Sequence, residues 1–288
     1  MSAPPVVLTV AGTDSGGAAG VAADLAAFGH LGCHGACVVT AVTAQDTVGV
    51  RAVHPVPIAV VDDQIGAVLD DLPVAVVKTG MLGTPTVVAL VADRLCHLPL
   101  VVDPVLSATS GAVLAGRSVV DAYVERLLPR AWVATPNHEE ARVLAGRDGP
   151  PAALAARLAD VGCAIVLTGG PEWQPGRREE ATCTDWVCLP GGRAEPLRHR
   201  AVPTTADHGS GCTFASALAA LLAAGRGPSS HQGSGGTPGD LTVDVLRSAS
   251  RAAAAYVADQ LITSSTWDLG RGRGPIAHIS RHHQEETA

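Results

Sequence analysis

Short runs dominated by Val, Leu and Ile recur along the chain at residues 6–11, 36–42, 74–78, 100–103, 132–135 and 164–168. Strands that are apolar on both sides need cover on both faces, the condition of a parallel sheet joined by crossover helices. The intervening segments meet that need, because 21–31, 58–72, 87–95, 119–128, 139–144 and 152–161 are mostly longer and richer in Ala and Leu. Thr84-Pro85 is a local start signal, a hydroxyl cap followed by proline at the first helical position. Residues 183–189 read as an outer strand, 211–224 as a helix entered from a glycine-rich turn, and 244–261 as a further helix. The fold class implied is α/β: a doubly wound, mainly parallel central sheet with helices on both faces. Ligands of such folds sit beyond the carboxyl ends of the strands.

With 288 residues, 47% hydrophobic and 16% charged, the chain can bury a large core. One domain over 1–288 is expected, because no charged or Pro/Ser-rich linker divides the first 224 residues. Residues 225–240, GRGPSSHQGSGGTPGD, are too poor in apolar groups to repay ordering and read as a flexible insertion. The net charge of -7 comes without any basic cluster, so no nucleic acid is expected as a partner. Aromatic residues at 3% offer no stacking platform for single strands either. No apolar run reaches the roughly 20 residues of a membrane span, and the first residues lack a secretory signal. Seven cysteines without CxxC spacing fit a reducing cytoplasm.

Three segments carry candidate chemistry. Asp207-His208-Gly209-Ser210-Gly211-Cys212-Thr213 leads glycines into a helix, where free amides and the helix dipole make an anion site. Cys212 stands at that helix start, where a thiol pKa tends to fall, so it can serve as a base. The same glycines also suit an ordinary helix cap with Cys212 as a small buried residue. Thr135-Pro136-Asn137-His138-Glu139-Glu140 offers an amide oxygen and a carboxylate three residues apart. That pair suits Mg ligation, and it equally suits a capping box. Ala11-Gly12-Thr13-Asp14-Ser15-Gly16-Gly17-Ala18-Ala19-Gly20 matches neither the dinucleotide fingerprint nor a P-loop, and reads as a small-molecule wall or a tight connection. His278, His282 and His283 near the carboxyl terminus read as a frayed tail rather than a metal site.

The blocks AGTDSGGAAGVAADL, TAVTAQDTVGV, VKTGMLG, VVDPV, ATPNHEEA, VLTGG and DHGSGCTFASALAALLA, in that order and ending with GRGRGPIAH, resemble the hydroxymethylpyrimidine/phosphomethylpyrimidine kinases of thiamine biosynthesis, which are ribokinase-like. The resemblance implies ATP- and Mg-dependent phosphorylation of a small pyrimidine by a cytoplasmic homodimer. Residue by residue, it implies that Gln45 hydrogen-bonds the aminopyrimidine, with Gly12, Ala19, Met81 and Val105 lining its pocket. A glutamine amide offers both a donor and an acceptor to such a ring. It further implies Cys212 as catalytic base and Gly209, Ser210 and Gly211 as anion hole. Asn137 and Glu140 would serve Mg and phosphate, Asp103 would sit at the same edge as a metal ligand, and Thr168 and Gly170 would meet ATP.

The departures from the family pattern bear on rate and specificity. Thr168-Gly169-Gly170 stands where the family has Lys-Gly-Gly, Ala22 replaces a Gln, Ala26 and Thr109 replace lysines, and Ala18 replaces a glycine. Losing a phosphate-facing cation removes charge stabilisation of a few kcal/mol. Thr168 also resembles the related pyridoxal kinases, so a pyridoxal kinase stays open as an alternative. A catalytically impaired ligand-binding homologue is the reading from another class.

Overall fold

The computed structural model describes residues 3–107, 114–174, 177–226 and 241–279. Val6–Ala11 forms β1, buried along its whole length. Its side chains alternate between two cores: Val6, Leu8 and Val10 join one and Val7 the other, as the two-residue period of a strand requires. The first half of the chain continues through α1 (Gly20–His30), β2 (His34–Val39), β3 (Ala41–Gln45), β4 (Val50–Pro55), α2 (Ile58–Leu69), β5 (Val74–Thr79), α3 (Pro85–Leu95), β6 (Leu100–Val102) and α4 (Arg117–Ala122). The second half adds β7 (Val133–Ala134), α5 (His138–Ala145), α6 (Pro151–Ala159), β8 (Ala164–Leu167), β9 (Pro171–Gln174), β10 (Arg177–Cys188), β11 (Glu195–Arg200), α7 (Ser210–Arg226) and α8 (Val243–Ser264).

The main sheet has the order β11-β10-β8-β7-β6-β5-β1-β2, with β9 pairing β10. From β2 to β8 every pair is parallel, and β10 adds antiparallel partners at one side. One core gathers α2 to α6 on one face, while the other gathers α1, α7 and α8. The doubly wound arrangement follows: β2 and β5 flank β1 on opposite sides, so the order reverses there. A crevice opens at such a switch point beyond the strand ends.

Two expectations need correction. The run 36–42 is not one strand; it divides at Thr40. The Thr40 N–H still donates to the Ala11 carbonyl at 3.0 Å like a sheet residue, but its hydroxyl donates to the Met81 carbonyl at 2.6 Å. Beyond it β3 pairs only with β4, as a separate two-stranded ribbon. The helix expected over 119–128 is α4 followed by a π turn at Tyr123–Leu127 and a 3-10 turn at Leu128–Arg130, where Pro129 cannot continue an α-helix. Other elements match closely. The Thr84 hydroxyl caps α3 by accepting from the Val87 N–H at 3.2 Å. No helix among the described residues is long and apolar enough to cross a membrane. Most of the expected insertion at 225–240, and Thr109, lie outside the described residues.

Lys78 on β5 is fully buried. Its Nζ donates to Asp24 Oδ1 on α1 at 2.8 Å, and the same oxygen accepts from the Ser216 hydroxyl of α7 at 2.6 Å. Asp24 Oδ2 accepts from Thr9 of β1 at 2.6 Å. Burial pushes the Lys78 pKa down, but Asp24, Cys212 and Asp103 outweigh it and hold the ammonium above its usual value. Removing one member of such a pair leaves an uncompensated charge in the interior. Lys78→Met is therefore expected to cost about 3–5 kcal/mol in urea unfolding, and adding Asp24→Leu should recover much of that loss. A Lys78→Met chain as stable as wild type would contradict the pairing.

Candidate active site

The carboxyl ends of β1, β5, β6, β7 and β8 feed loops into one cavity of about 550 Å³. The loop after β1 supplies Gly12, Asp14 and Ala19, and that after β5 supplies Gly80 and Met81. Asp103 and Val105 follow β6, Asn137 and Glu140 follow β7, and Thr168 and Gly170 follow β8. The far wall is the start of α7, with Gly209, Ser210, Gly211 and Cys212, and Gln45 closes the side from the end of β3. Every residue that sequence reasoning singled out for substrate, nucleotide, metal or catalysis thus lines this one space.

Close packing builds the wall. Gly209 has φ +89, and a Cβ there would overlap the Ala18 carbonyl oxygen, so only glycine allows the α7 turn to sit against the first loop. At the start of α7 the Thr213 N–H reaches the Gly209 carbonyl at 2.9 Å, and the Ser210 N–H is used by the Asp207 carbonyl at 3.1 Å. The first-turn amides of Gly211 and Cys212 have no carbonyl one turn earlier within the helix and remain for a ligand. Nothing lies within 4 Å of a Cβ built on Gly211, so that side is open. The Ser210 amide is thus taken up within the turn.

Cys212 departs from the expectation of a lowered thiol pKa. Burial raises it to about 12, against the pull of Lys78, with Asp103 and Asp24 adding to the rise. At neutral pH the group is a thiol, lying against the Asp103 carboxyl. Asp103 is itself held above the usual carboxyl range, chiefly by burial, with the Lys78 charge opposing and the Asp24 charge adding. Its Oδ2 lies 3.8 Å from Lys78 Nζ and has no hydrogen-bond partner among the described residues.

The pair Asn137 and Glu140 forms a complete capping box for α5. Asn137 Oδ1 accepts from the Glu140 N–H at 2.9 Å, and Glu140 Oε2 accepts from the Asn137 N–H at 3.0 Å. Burial and the neighbouring Asp103 charge raise Glu140 to about 8. A carboxyl raised by a neighbouring carboxyl that itself has an unpartnered buried oxygen fits a divalent cation with a preference for hard oxygen ligands. The capping role and a ligating role are compatible, since each carboxylate oxygen has two lone pairs.

Three features escaped sequence reasoning. The Lys78–Asp24 pair beneath the cavity was signalled by the lone lysine of the chain standing inside an apolar strand, which demands a buried partner. Asp14 and His208 meet at 3.2 Å, two residues far apart in sequence that no local pattern connects. The third is the segment 270–278, which ties the β3–β4 turn to the loop before α7. There the Arg271 and Gly272 N–H groups donate to Thr47 Oγ1 at 3.0 and 3.2 Å, Arg273 pairs with Asp207, and the His208 N–H donates to the Gly274 carbonyl at 3.1 Å. His278 completes the tie at 3.0 Å from Thr213 Oγ1, while His282 and His283 lie outside the described residues.

Fold and cavity together define a ribokinase-like small-molecule kinase. The sequence pattern of the phosphomethylpyrimidine kinase family matches residues 14–230, and the chain belongs to that family. It is 38% identical to a hydroxymethylpyrimidine/phosphomethylpyrimidine kinase of Rhizobium meliloti, over 96% of this chain and 97% of that one. Among solved structures it is similar to the pyridoxal kinase of Bacillus subtilis in an ADP complex, at TM-score 0.78 and 28% identity, covering 96% of this chain and 98% of that chain. The phosphomethylpyrimidine kinase of Clostridium difficile gives TM-score 0.67 at 27% identity, covering 88% of this chain and 98% of that one.

The raised Cys212 pKa has a direct chemical readout, because only the thiolate is alkylated quickly. Brief iodoacetamide treatment of the folded chain near neutral pH should label the exposed Cys96 and leave Cys212 unmodified by peptide mass spectrometry. Rapid labelling of Cys212 would show a thiolate and overturn the assignment.

Proposed function

We infer that this chain transfers phosphate from ATP, with Mg, to the hydroxymethyl group of 4-amino-5-hydroxymethyl-2-methylpyrimidine and to the resulting monophosphate, in thiamine biosynthesis. The observation that carries this reading is that Gln45, the open amides of Gly211 and Cys212, and the Asp103 and Glu140 carboxyls face one cavity. Full-length similarity to hydroxymethylpyrimidine/phosphomethylpyrimidine kinases supports it.

In this reading Gln45 holds the ring by its amide, and Gly12, Ala19, Met81 and Val105 exclude water around it. Mg, when bound, neutralises charge on the ATP phosphates, and Glu140 and Asn137 would hold it, with Asp103 at the same edge of the cavity. Gly211 and Cys212 donate their amides toward the charge that develops on the transferring group, and Gly209 and Ser210 set the turn that aims them. The alcohol proton moves to Cys212 Sγ as the thiol gives its own proton to the Asp103 carboxyl, so the sulfur ends as it began. Thr168 and Gly170 face the nucleotide side, with a hydroxyl in place of an ammonium. That substitution supports slower transfer than in relatives with lysine.

The reading extends to one catalytic domain over 1–288, a cytoplasmic location, a homodimer and no nucleic-acid partner. Seven free cysteines support the reducing location, and the net charge of -7 supports the last point. A second reading, phosphorylation of pyridoxal, is favoured by Thr168-Gly169-Gly170 and by similarity to pyridoxal kinase structures at 28% identity. Gln45 favours the pyrimidine, since an amide covered by the wrong ring and left unpaired penalises binding.

ATP consumption measured side by side with the hydroxymethylpyrimidine, its monophosphate and pyridoxal separates these readings. The pyrimidines should give a kcat/KM at least about ten-fold above that for pyridoxal. Preference for pyridoxal would establish the second reading, and no turnover on any of the three would leave a ligand-binding homologue.

A further inference from the structure

The amide of Gln45 can meet a ligand in two orientations, and the residue behind it decides between them. As placed, the Gln45 amide nitrogen Nε2 lies 3.2 Å from His208 Nε2. The same ring nitrogen lies 3.2 Å from Asp14 Oδ2. Asp14 is buried and also accepts the Gly16 N–H at 2.8 Å, the Ala18 N–H at 3.2 Å and the Ala19 N–H at 2.9 Å. Burial works to raise its pKa, but the hydrogen bonds from His208, Gly16 and Ala19 outweigh burial and hold it below the usual carboxylate range. An ionised carboxylate only accepts. A carboxylate oxygen at hydrogen-bond length from an imidazole nitrogen therefore places the proton on that nitrogen.

His208 Nε2 is thus a donor, and an amide NH2 turned toward it would set donor against donor. The oxygen and nitrogen of a glutamine amide exchange places by a half-turn, and only the carbonyl orientation avoids that clash, with the oxygen sharing the Nε2 proton that Asp14 accepts. The NH2 is then left for the cavity that Gln45 lines. His208 cannot swing away easily, because its backbone is pinned on both sides: its N–H donates to the Gly274 carbonyl at 3.1 Å and its carbonyl accepts the Ile276 N–H at 3.0 Å.

We propose that His208, fixed by Asp14, is a positioning residue for substrate choice: it turns Gln45 so that an NH2 donor meets the ligand, which selects a ring bearing an unprotonated nitrogen at that edge. The proposal rests on the pyrimidine-kinase reading above, and it adds that the specificity of Gln45 is set from outside the residue itself. A ring with a C–H at that edge would leave the amide donors unpaired and be rejected.

The test uses the full chain with ATP and 4-amino-5-hydroxymethyl-2-methylpyrimidine. His208→Leu should raise KM for the pyrimidine about ten-fold while kcat falls by no more than about three-fold and KM for ATP stays put. His208→Gln, which restores an N–H donor, should recover most of the loss. A purely structural role would lower kcat and raise both KM values together and would not be rescued by glutamine, and that outcome overturns the proposal. Unchanged pyrimidine KM in a folded His208→Leu chain also overturns it, leaving the kinase reading intact. A wild-type chain inert toward the pyrimidine overturns both. NMR of histidine labelled with isotopic nitrogen decides the point in the wild-type chain without any variant. A proton on Nε2 of His208 supports the proposal, and a neutral ring protonated only on Nδ1 overturns it.

Discussion

Taking an ammonium out of water is tolerable only where opposite charge and hydrogen bonds compensate it, and Lys78 finds that compensation under the floor of the cavity. Asp24 receives Lys78, Ser216 and Thr9 together, so one carboxylate fastens β1, α1, β5 and α7 to a common point. Asp103 and Cys212 lie at the upper edge of the same charge cluster. The elements that carry the first glycine loop, the Asp103 loop and the α7 amides are therefore held at fixed mutual distances by a single buried pair. A cavity built from five loops needs such a fixed point, because the productive geometry of a transfer site tolerates little displacement.

On that base the site is assembled by contact rather than by flexibility. Gly209 abuts Ala18 with no room for a side chain, and the segment 270–278 binds the β3–β4 turn to the loop preceding α7. The first brings the free amides of α7 to the cavity wall. The second keeps His208 and Gln45 on the same side of it. Electrostatics then divide the labour: the carboxyls of Asp103 and Glu140 attract a cation, while the amides of the adjoining helix start attract an anion.

Much of this was legible from the residues. Runs such as 6–11 and 164–168 read as interior strands by their shortness and their Val and Ile content, and Thr84-Pro85 and Asn137 with Glu140 marked helix starts by local chemistry. The ribbon of β3 and β4 was not legible: β4 reads Val-Arg-Ala-Val-His-Pro and is largely exposed, so it carries no burial pattern to detect. β11 is similar, with Leu197 as its single buried side chain, because edge strands are kept polar to avoid pairing with other chains. In the site, residue types were readable and pairings were not. Cys212 was placed at a helix start, where its pKa should fall, but the depth of burial that reverses the shift depends on α1, β5 and β6 together. The Asp14–His208 contact joins residues 194 apart in sequence, and only the folded chain brings them within reach.

The central claim is that the first turn of α7, with its amides and its sulfur, is where phosphoryl transfer occurs. Single-turnover kinetics of Cys212→Ala with ATP and the hydroxymethylpyrimidine tests this most directly. The thiol meets the Gly20 backbone and the buried charge cluster through its sulfur alone, so substrate binding should survive while the transfer rate falls about 10²–10⁴-fold. A Cys212→Ala chain that transfers phosphate at close to the wild-type rate would contradict the account.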